Sequence, residues 1–348
     1  MFQELVVTLK GNISVVRSII KTNERLRDIA FGEGANKKQS SQEYSELFIT
    51  LTTDIPSVRE WRIYDHCAVV TRLYAIYESF VENLISDWLG LLPGLFTSYS
   101  DLEERIRNTH QMGVGRLLLD LKKNRYEHLS IEEVIRSLFR GVTGEEKYHL
   151  LPDAFLFHEQ NLRREILEKL LADAGIPNTW AWLDKHRTVK NFVEEIRGNQ
   201  NTAEGELNEL ISYRNDAAHG ALIDDFLSSN ALLELCDFVE ALCQALAELV
   251  TYQVIERKKS IGIAREIGRI TEWFNKPKAA VAKVEKTTLS VGGSVFLVSE
   301  ACCLLAKIQS IMIDDILIEQ VQATTEMEVG LKFDVNAKKD WRLYQLEP

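Results

Sequence analysis

The chain lacks the marks of several function classes. It has five cysteines in 348 residues, and none forms a Cys-x-x-Cys pair. That number and spacing exclude a paired zinc framework. Cys236 and Cys243 stand a heptad apart on an apolar helix face, and the cysteines as a set read as buried reduced thiols. There is no His-Glu-x-x-His pattern and no Gly-rich phosphate loop. Neither a metal nor a cofactor is therefore expected. The longest apolar stretches, Leu89–Phe96 and the region around Leu246–Val250, fall short of the roughly 18 residues of a membrane span. The start, Met1-Phe-Gln-Glu-Leu-Val-Val, carries Glu4 and no basic segment, so no signal peptide is expected. These absences together predict a cytoplasmic protein with no membrane partner.

Positive charge is also scarce. Lys and Arg number 41 against 52 Asp and Glu, a net charge of −11. Such a balance opposes non-specific nucleic-acid binding. A nucleic-acid function would need a local basic surface, or a dimer cleft that gathers the few cations. Acidic and basic residues nearly balance after residue 258, so the acidic excess falls on the earlier part.

What is present is mostly helical periodicity. Residues 1–30 allow a helix or a strand pair, and 32–42 read as a polar Gly/Ser linker. From Val58 to Leu89, residues such as Trp61, Leu73, Phe80, Leu84 and Trp88 recur at spacings of three or four, and Pro93-Gly94 is expected to end that helix. Glu78 and Glu82 share one of its faces and read as a surface pair. Gly113 and Gly115 predict a loop. Further helices are expected over 131–140, 159–172, 180–192 and 207–219, then a long amphipathic helix over 228–258 capped by Ser228 or Ser229. After Lys258 the pattern alternates, with strands expected near 263–271, 279–284, 294–298, 305–311, 328–333 and 341–346. The expected fold is mainly α, a helical domain at 1–257 (with an N-terminal extension over 1–57) followed by a small all-β domain at 258–348.

One stretch carries candidate chemistry: Tyr213-Arg-Asn-Asp-Ala-Ala-His-Gly220. RNA is cut without a metal when a base takes the 2′-hydroxyl proton and a cation stabilises the pentacoordinate phosphate. Histidine suits the first task because it titrates near neutrality. Arginine suits the second, with a permanent charge and a planar fork. The spacing alone is weak, since Arg105-Ile-Arg-Asn-Thr-His110 repeats it and Arg59 and His66 approximate it. Context separates them. Arg214 follows an apolar-periodic helix, Ala217-Ala218 permits close approach of another helix, and Gly220 places His219 at a helix end. The competing reading is an ordinary helix end, where Arg and His are favoured by the dipole.

Arg214-Asn-Asp-Ala-Ala-His-Gly220 resembles the Arg-polar-x-x-x-His motif of HEPN ribonucleases. Tyr74-Ala-Ile-Tyr-Glu-Ser-Phe-Val-Glu-Asn-Leu-Ile85 resembles the early long helix of that fold. The resemblance covers roughly residues 58–256. It implies a HEPN-like helical bundle in which His219 is the base or orients the 2′-hydroxyl, Arg214 is the phosphate-stabilising cation and Asn215 arranges the site. It further implies a metal-independent endoribonuclease that leaves 2′,3′-cyclic phosphate and 5′-hydroxyl ends, works as a homodimer, and acts in phage defence or as a toxin with a neutralising or regulatory partner. A non-catalytic RNA- or protein-binding module is the alternative. Asp216, Lys258 and Lys259 are further candidates for substrate contact, the lysines because Arg257-Lys258-Lys259 joins the two domains. Other basic clusters, Lys122–Arg125, Arg163-Arg164 and Lys185–Arg187, read as solvated helix faces.

Ile267-Gly-Arg-Ile-Thr-Glu-Trp-Phe274, Ala279–Val284, Leu289–Phe296, Ile308–Ile313 and Glu328–Phe333 resemble the second-domain β-barrel of translation GTPases such as elongation factor Tu, with Gly292-Gly293 where Gly-Asp is usual. That resemblance implies either a module targeting tRNA or the translation apparatus, or a scaffold without RNA contact.

Overall fold

A computed structural model describes residues 2–31, 54–144, 147–158, 160–219 and 223–347. The polar linker expected at 32–42 and the Gly220 helix stop lie outside the described residues.

The helical part is organised on two long helices. Helix α1 (Gln3–Phe31) resolves the ambiguous first segment as a single helix. Helix α2 (Val58–Leu95) opens with a reciprocal cap: the Ser57 hydroxyl accepts from Glu60 N at 3.3 Å, and the Glu60 carboxylate accepts from Ser57 N at 2.9 Å. The helix passes through Pro93 rather than ending before it, and Phe96 N closes the last turn on Leu92 O at 2.9 Å. A proline there removes one bond close to the frayed end, where the loss is cheapest. Val70, Leu73, Tyr77, Leu84 and Trp88 of α2 are all buried.

Helix α3 (Glu104–Asp120) runs straight through Gly113 and Gly115, where a loop was expected. Close approach explains the first glycine: a Cβ on Gly113 would sit 1.9 Å from the Ala154 carbonyl oxygen. The shorter helices α4 (Ile131–Thr143), α5 (Arg164–Asp173), α6 (Thr179–Lys185) and α7 (Arg187–Asn191) follow, and a π-turn over Phe192–Ile196 extends α7. Helix α8 (Ala203–His219) packs on α2 through Leu207, Leu210 and Ile211. Helix α9 (Ser229–Ser260) starts where the Ser228 hydroxyl accepts from Ala231 N at 3.2 Å. By length and composition α9 alone among the described helices could cross a membrane, yet 67% of its most apolar window is buried in the fold. It is the central helix, in contact with α1, α2 and the following sheet.

The chain then forms a closed six-stranded antiparallel barrel. Strands β1 (Ala264–Phe274), β2 (Ala279–Val284), β4 (Ser294–Ser299), β5 (Cys302–Ile313), β8 (Met327–Phe333) and β9 (Arg342–Leu346) run in the order β4-β9-β1-β2-β8-β5, and β5 pairs back on β4. Closure removes the free edges of a small sheet. Short strands that the alternation pattern did not predict are β3 (Thr287–Ser290), paired with β7 (Gln320–Ala323), and β6 (Ile316–Ile318), which turns back on β5 through Asp314 and Asp315. At the turn after β3, Gly292 has φ of +82°, which favours glycine. The barrel interior forms its own apolar cluster, including Ile267, Ala282, Leu297, Ile308 and Leu343. Phe296, Val298, Cys303 and Tyr344 instead join the core of the bundle.

The seam between the parts holds a buried carboxylate. Glu248 of α9 receives both guanidinium nitrogens of Arg187 at 2.7 and 2.8 Å, His186 Nε2 at 3.0 Å and Cys303 N at 3.3 Å. His186 Nδ1 lies 3.3 Å from Thr188 N and 2.8 Å from Thr188 Oγ1, which holds the ring with Nε2 facing Glu248. Burial pushes the Glu248 carboxyl up, but the bonds from Arg187 and His186 prevail and bring it down to about 2. Four of the cysteines are buried as expected and Cys67 is half-buried; none is in a disulfide.

Candidate active site

The last turn of α8, one face of α2 and the segment before α5 enclose a polar cleft of about 720 Å³. Arg214, Asn215 and His219 line it from α8, and Glu78 and Glu82 line it from α2. His158, Asn161 and Arg163 complete the wall.

The Arg214 guanidinium is held from three sides. It donates to Asn161 Oδ1 at 3.3 Å and to Asn215 Oδ1 at 3.1 Å, and it lies 4.9 Å from the centre of the Tyr74 ring. Asn161 Nδ2 in turn donates to Asn215 Oδ1 at 3.1 Å. Each of these partners is neutral, and among the described residues Arg214 forms no ion pair. The charge is thus oriented without being neutralised, which leaves it for an incoming anion. Tyr74 is fixed as well: its hydroxyl accepts from Leu162 N at 3.0 Å and donates to Glu78 at 3.2 Å. Burial raises that hydroxyl to about 12, so it stays protonated and serves as a donor.

His219 is the last residue of α8 and is exposed at the cleft mouth. A second imidazole faces the same space. His158 Nδ1 meets the Gln160 carbonyl at 3.2 Å, and Nε2 meets Glu82 Oε1 at 3.0 Å. Both partners are acceptors, an arrangement that favours a proton on each ring nitrogen. The Glu82 hydrogen bond accordingly raises the His158 pKa against its desolvation. Arg125 approaches Glu82 at 3.7 Å, and the exposed Arg163 donates to Asn208 at 2.6 Å. Among its described residues the cleft sets Arg125, Arg163 and Arg214 against Glu78, Glu82 and Glu165, with His158 favoured in its charged form.

The structure brings together Arg214, Asn215 and His219 from the sequence reading. It does not bring the other three candidates to the cleft. Asp216 is exposed on α8 and makes no bond to Arg214, whose partners are Asn161 and Asn215. Lys259 donates to the Tyr344 hydroxyl at 3.2 Å and approaches Glu266 at 3.7 Å, at the junction with the barrel. Lys258 lies beside it in the last turn of α9. Glu78 and Glu82, read as a surface pair, are cleft residues instead. Their signal was in the sequence: Tyr74, Glu78 and Glu82 form a polar stripe at i, i+4 and i+8 along one face of α2. His158 and Asn161 gave no such signal, because they sit in irregular chain that only the fold carries to α8.

The helical bundle, with an Arg-x-x-x-x-His pair ending one helix and facing a polar stripe on the long helix, defines a HEPN-type protein. A family model for RiboL-PSP-HEPN matches residues 36–252, and the chain belongs to that family. No curated protein sequence matches the chain at a significant level.

Proposed function

We propose that this protein is a metal-independent endoribonuclease whose cleft holds one scissile phosphate. The observation that carries this reading is Arg214, a guanidinium fixed by Asn161, Asn215 and Tyr74 with no carboxylate on it, in the same cleft as His219. His219 takes the proton of the ribose 2′-hydroxyl. The 2′-oxygen attacks phosphorus, and Arg214 stabilises the charge that builds on the non-bridging oxygens. The bond from phosphorus to the 5′-oxygen breaks, and His158 supplies the proton that this oxygen needs. The products are a 2′,3′-cyclic phosphate and a 5′-hydroxyl. Exchange with water returns both imidazoles to their starting states. Asn215 keeps Arg214 in place, and Glu82 keeps His158 charged.

The working unit on this reading is a homodimer, in which the exposed end of α8 meets its copy and two clefts pool their cations. RNA, with tRNA as one candidate, is the substrate. The barrel is the module that selects it, and the cellular setting is phage defence or a toxin restrained by a partner protein. The test is incubation of purified protein with total RNA in EDTA. Cleavage that persists in EDTA and disappears in His219→Ala is expected, whereas equal decay of RNA with both proteins would sink the reading. Binding without cleavage by either protein would favour the non-catalytic RNA-binding alternative.

A further inference from the structure

The cleft does not end at His158. Arg125, His158, Gln160 and Ile166 also line a second cavity of about 660 Å³ on the side away from α8. Its far wall adds Arg116, Lys123 and Lys169, with Asp120 as the one carboxylate among the described lining residues. Asp120 pairs with Lys123 at 3.0 Å, and Lys169 pairs with Asp173 at 2.6 Å. Arg116 stacks its guanidinium 5.5 Å from the centre of the Phe157 ring and has no ion pair among the described residues. The other described lining residues are Tyr126, Phe157, Leu170 and Leu119, the last 84% exposed.

We infer that the second cavity binds the strand next to the cut, taking two or more nucleotides of single-stranded RNA. This inference rests on the ribonuclease reading of the adjoining cleft. A strand whose phosphate sits at Arg214 must leave the cleft somewhere, and the shared wall at Arg125 and His158 is a continuous exit. Cations spaced along a groove track a phosphate backbone, while an aromatic ring and flanking aliphatic groups take the faces of unstacked bases. A duplex presents no free base faces, so Phe157 and Leu119 have a use only with a single strand. The groove adds Arg116, a cation with no ion pair among the described residues, beside Lys123 and Lys169, whose carboxylate partners a phosphate could displace.

The test uses the full-length protein and a fluorescent single-stranded oligoribonucleotide with 2′-O-methyl sugars, which binds but cannot be cut. Arg116→Glu combined with Lys169→Glu is expected to weaken its binding about tenfold or more, and to flatten the dependence of log affinity on log salt by about 2. Leu119→Asp, at a fully solvated position that folding does not need, is expected to weaken binding by severalfold. On an unmodified long strand the double variant should raise KM more than it lowers kcat. Equal affinity of wild type and both variants overturns the inference, as does tighter binding of a duplex of the same sequence. Wild-type protein that binds in this pattern yet cuts no unmodified RNA supports the groove and overturns the ribonuclease reading instead.

Discussion

Helices α3 and α8 carry the same spacing, Arg105 to His110 and Arg214 to His219, and the fold treats the two pairs in opposite ways. On α3, Arg105 points outward and is held by Asp173 through two bonds of 2.8 and 2.9 Å. His110 points inward, fully buried, with its Nδ1 3.1 Å from the Tyr99 hydroxyl and its ring stacked on Phe155. Burial, then the neighbouring His149, push its pKa down to about 4. On α8, Arg214 has only neutral partners and His219 is open to solvent. Arg59 and His66 on α2 repeat the α3 outcome: Arg59 pairs with Asp224, and buried His66 accepts from Leu227 N. Four intervening residues put two side chains about 140° apart around a helix. What they then do depends on whether the arginine is neutralised and whether the histidine meets water.

The comparison breaks most easily at the arginines. Arg214→Ala should lower RNA cleavage by about 10²–10³-fold, while Arg105→Ala should leave the rate within about twofold; similar losses at both sites, measured under single-turnover conditions, would end the distinction. Next in size is His158→Gln, expected to reduce cleavage by about 10²-fold. It should also remove the alkaline limb of the pH–rate profile, since the proposed mechanism uses His158 in its protonated form. A wild-type profile in this variant would take His158 out of the reaction.

The third prediction concerns stability. A histidine in the unfolded chain takes a proton near pH 6.5, whereas His110 in the fold resists until about 4. Between these values the unfolded state binds more protons, so His110 contributes full stability above about 6.5 and loses it as pH falls toward 4. Denaturant titrations across that window should show a decline on the order of 2–3 kcal/mol, and His110→Phe should flatten it. His158 has the opposite sign: its raised pKa gives stability that is present at low pH and lost as pH rises through its folded value. The smallest effect belongs to Arg105→Ala, whose exposed ion pair should be worth less than about 1 kcal/mol in thermal unfolding.

The sequence made some of this arrangement legible and hid the rest for identifiable reasons. The α2 periodicity, the Ser228 cap and most barrel strands were readable because each rests on local pattern. Pro93 and Gly113 misled, because both take their meaning from position in a helix and from a neighbour, Ala154, distant in sequence. Strands β3, β6 and β7 are only three or four residues long, too short for an alternation to stand out from the surrounding chain. In the site, Arg214, Asn215 and His219 were legible as one turn of one helix. His158, Asn161 and the cleft role of Glu82 were not, because they meet α8 only after α2 and the chain before α5 have packed. The two lysines at the end of α9 attracted notice through charge, which says nothing about direction.

The carboxylate at the seam has a consequence for how this chain could be rearranged. Glu248 sits on α9, Arg187 and His186 sit on the α6–α7 corner, and Cys303 N is contributed by the barrel. A different barrel grafted after Ser260 would have to offer a backbone N–H and a snug face at that spot. Failing that, Glu248 would keep Arg187 and His186 but lose the Cys303 N–H, at a cost of roughly 1–3 kcal/mol. The barrel is therefore not an interchangeable appendage. Any replacement inherits a fitting condition set in the middle of α9, and one such condition fixes how an exchanged module would be aimed.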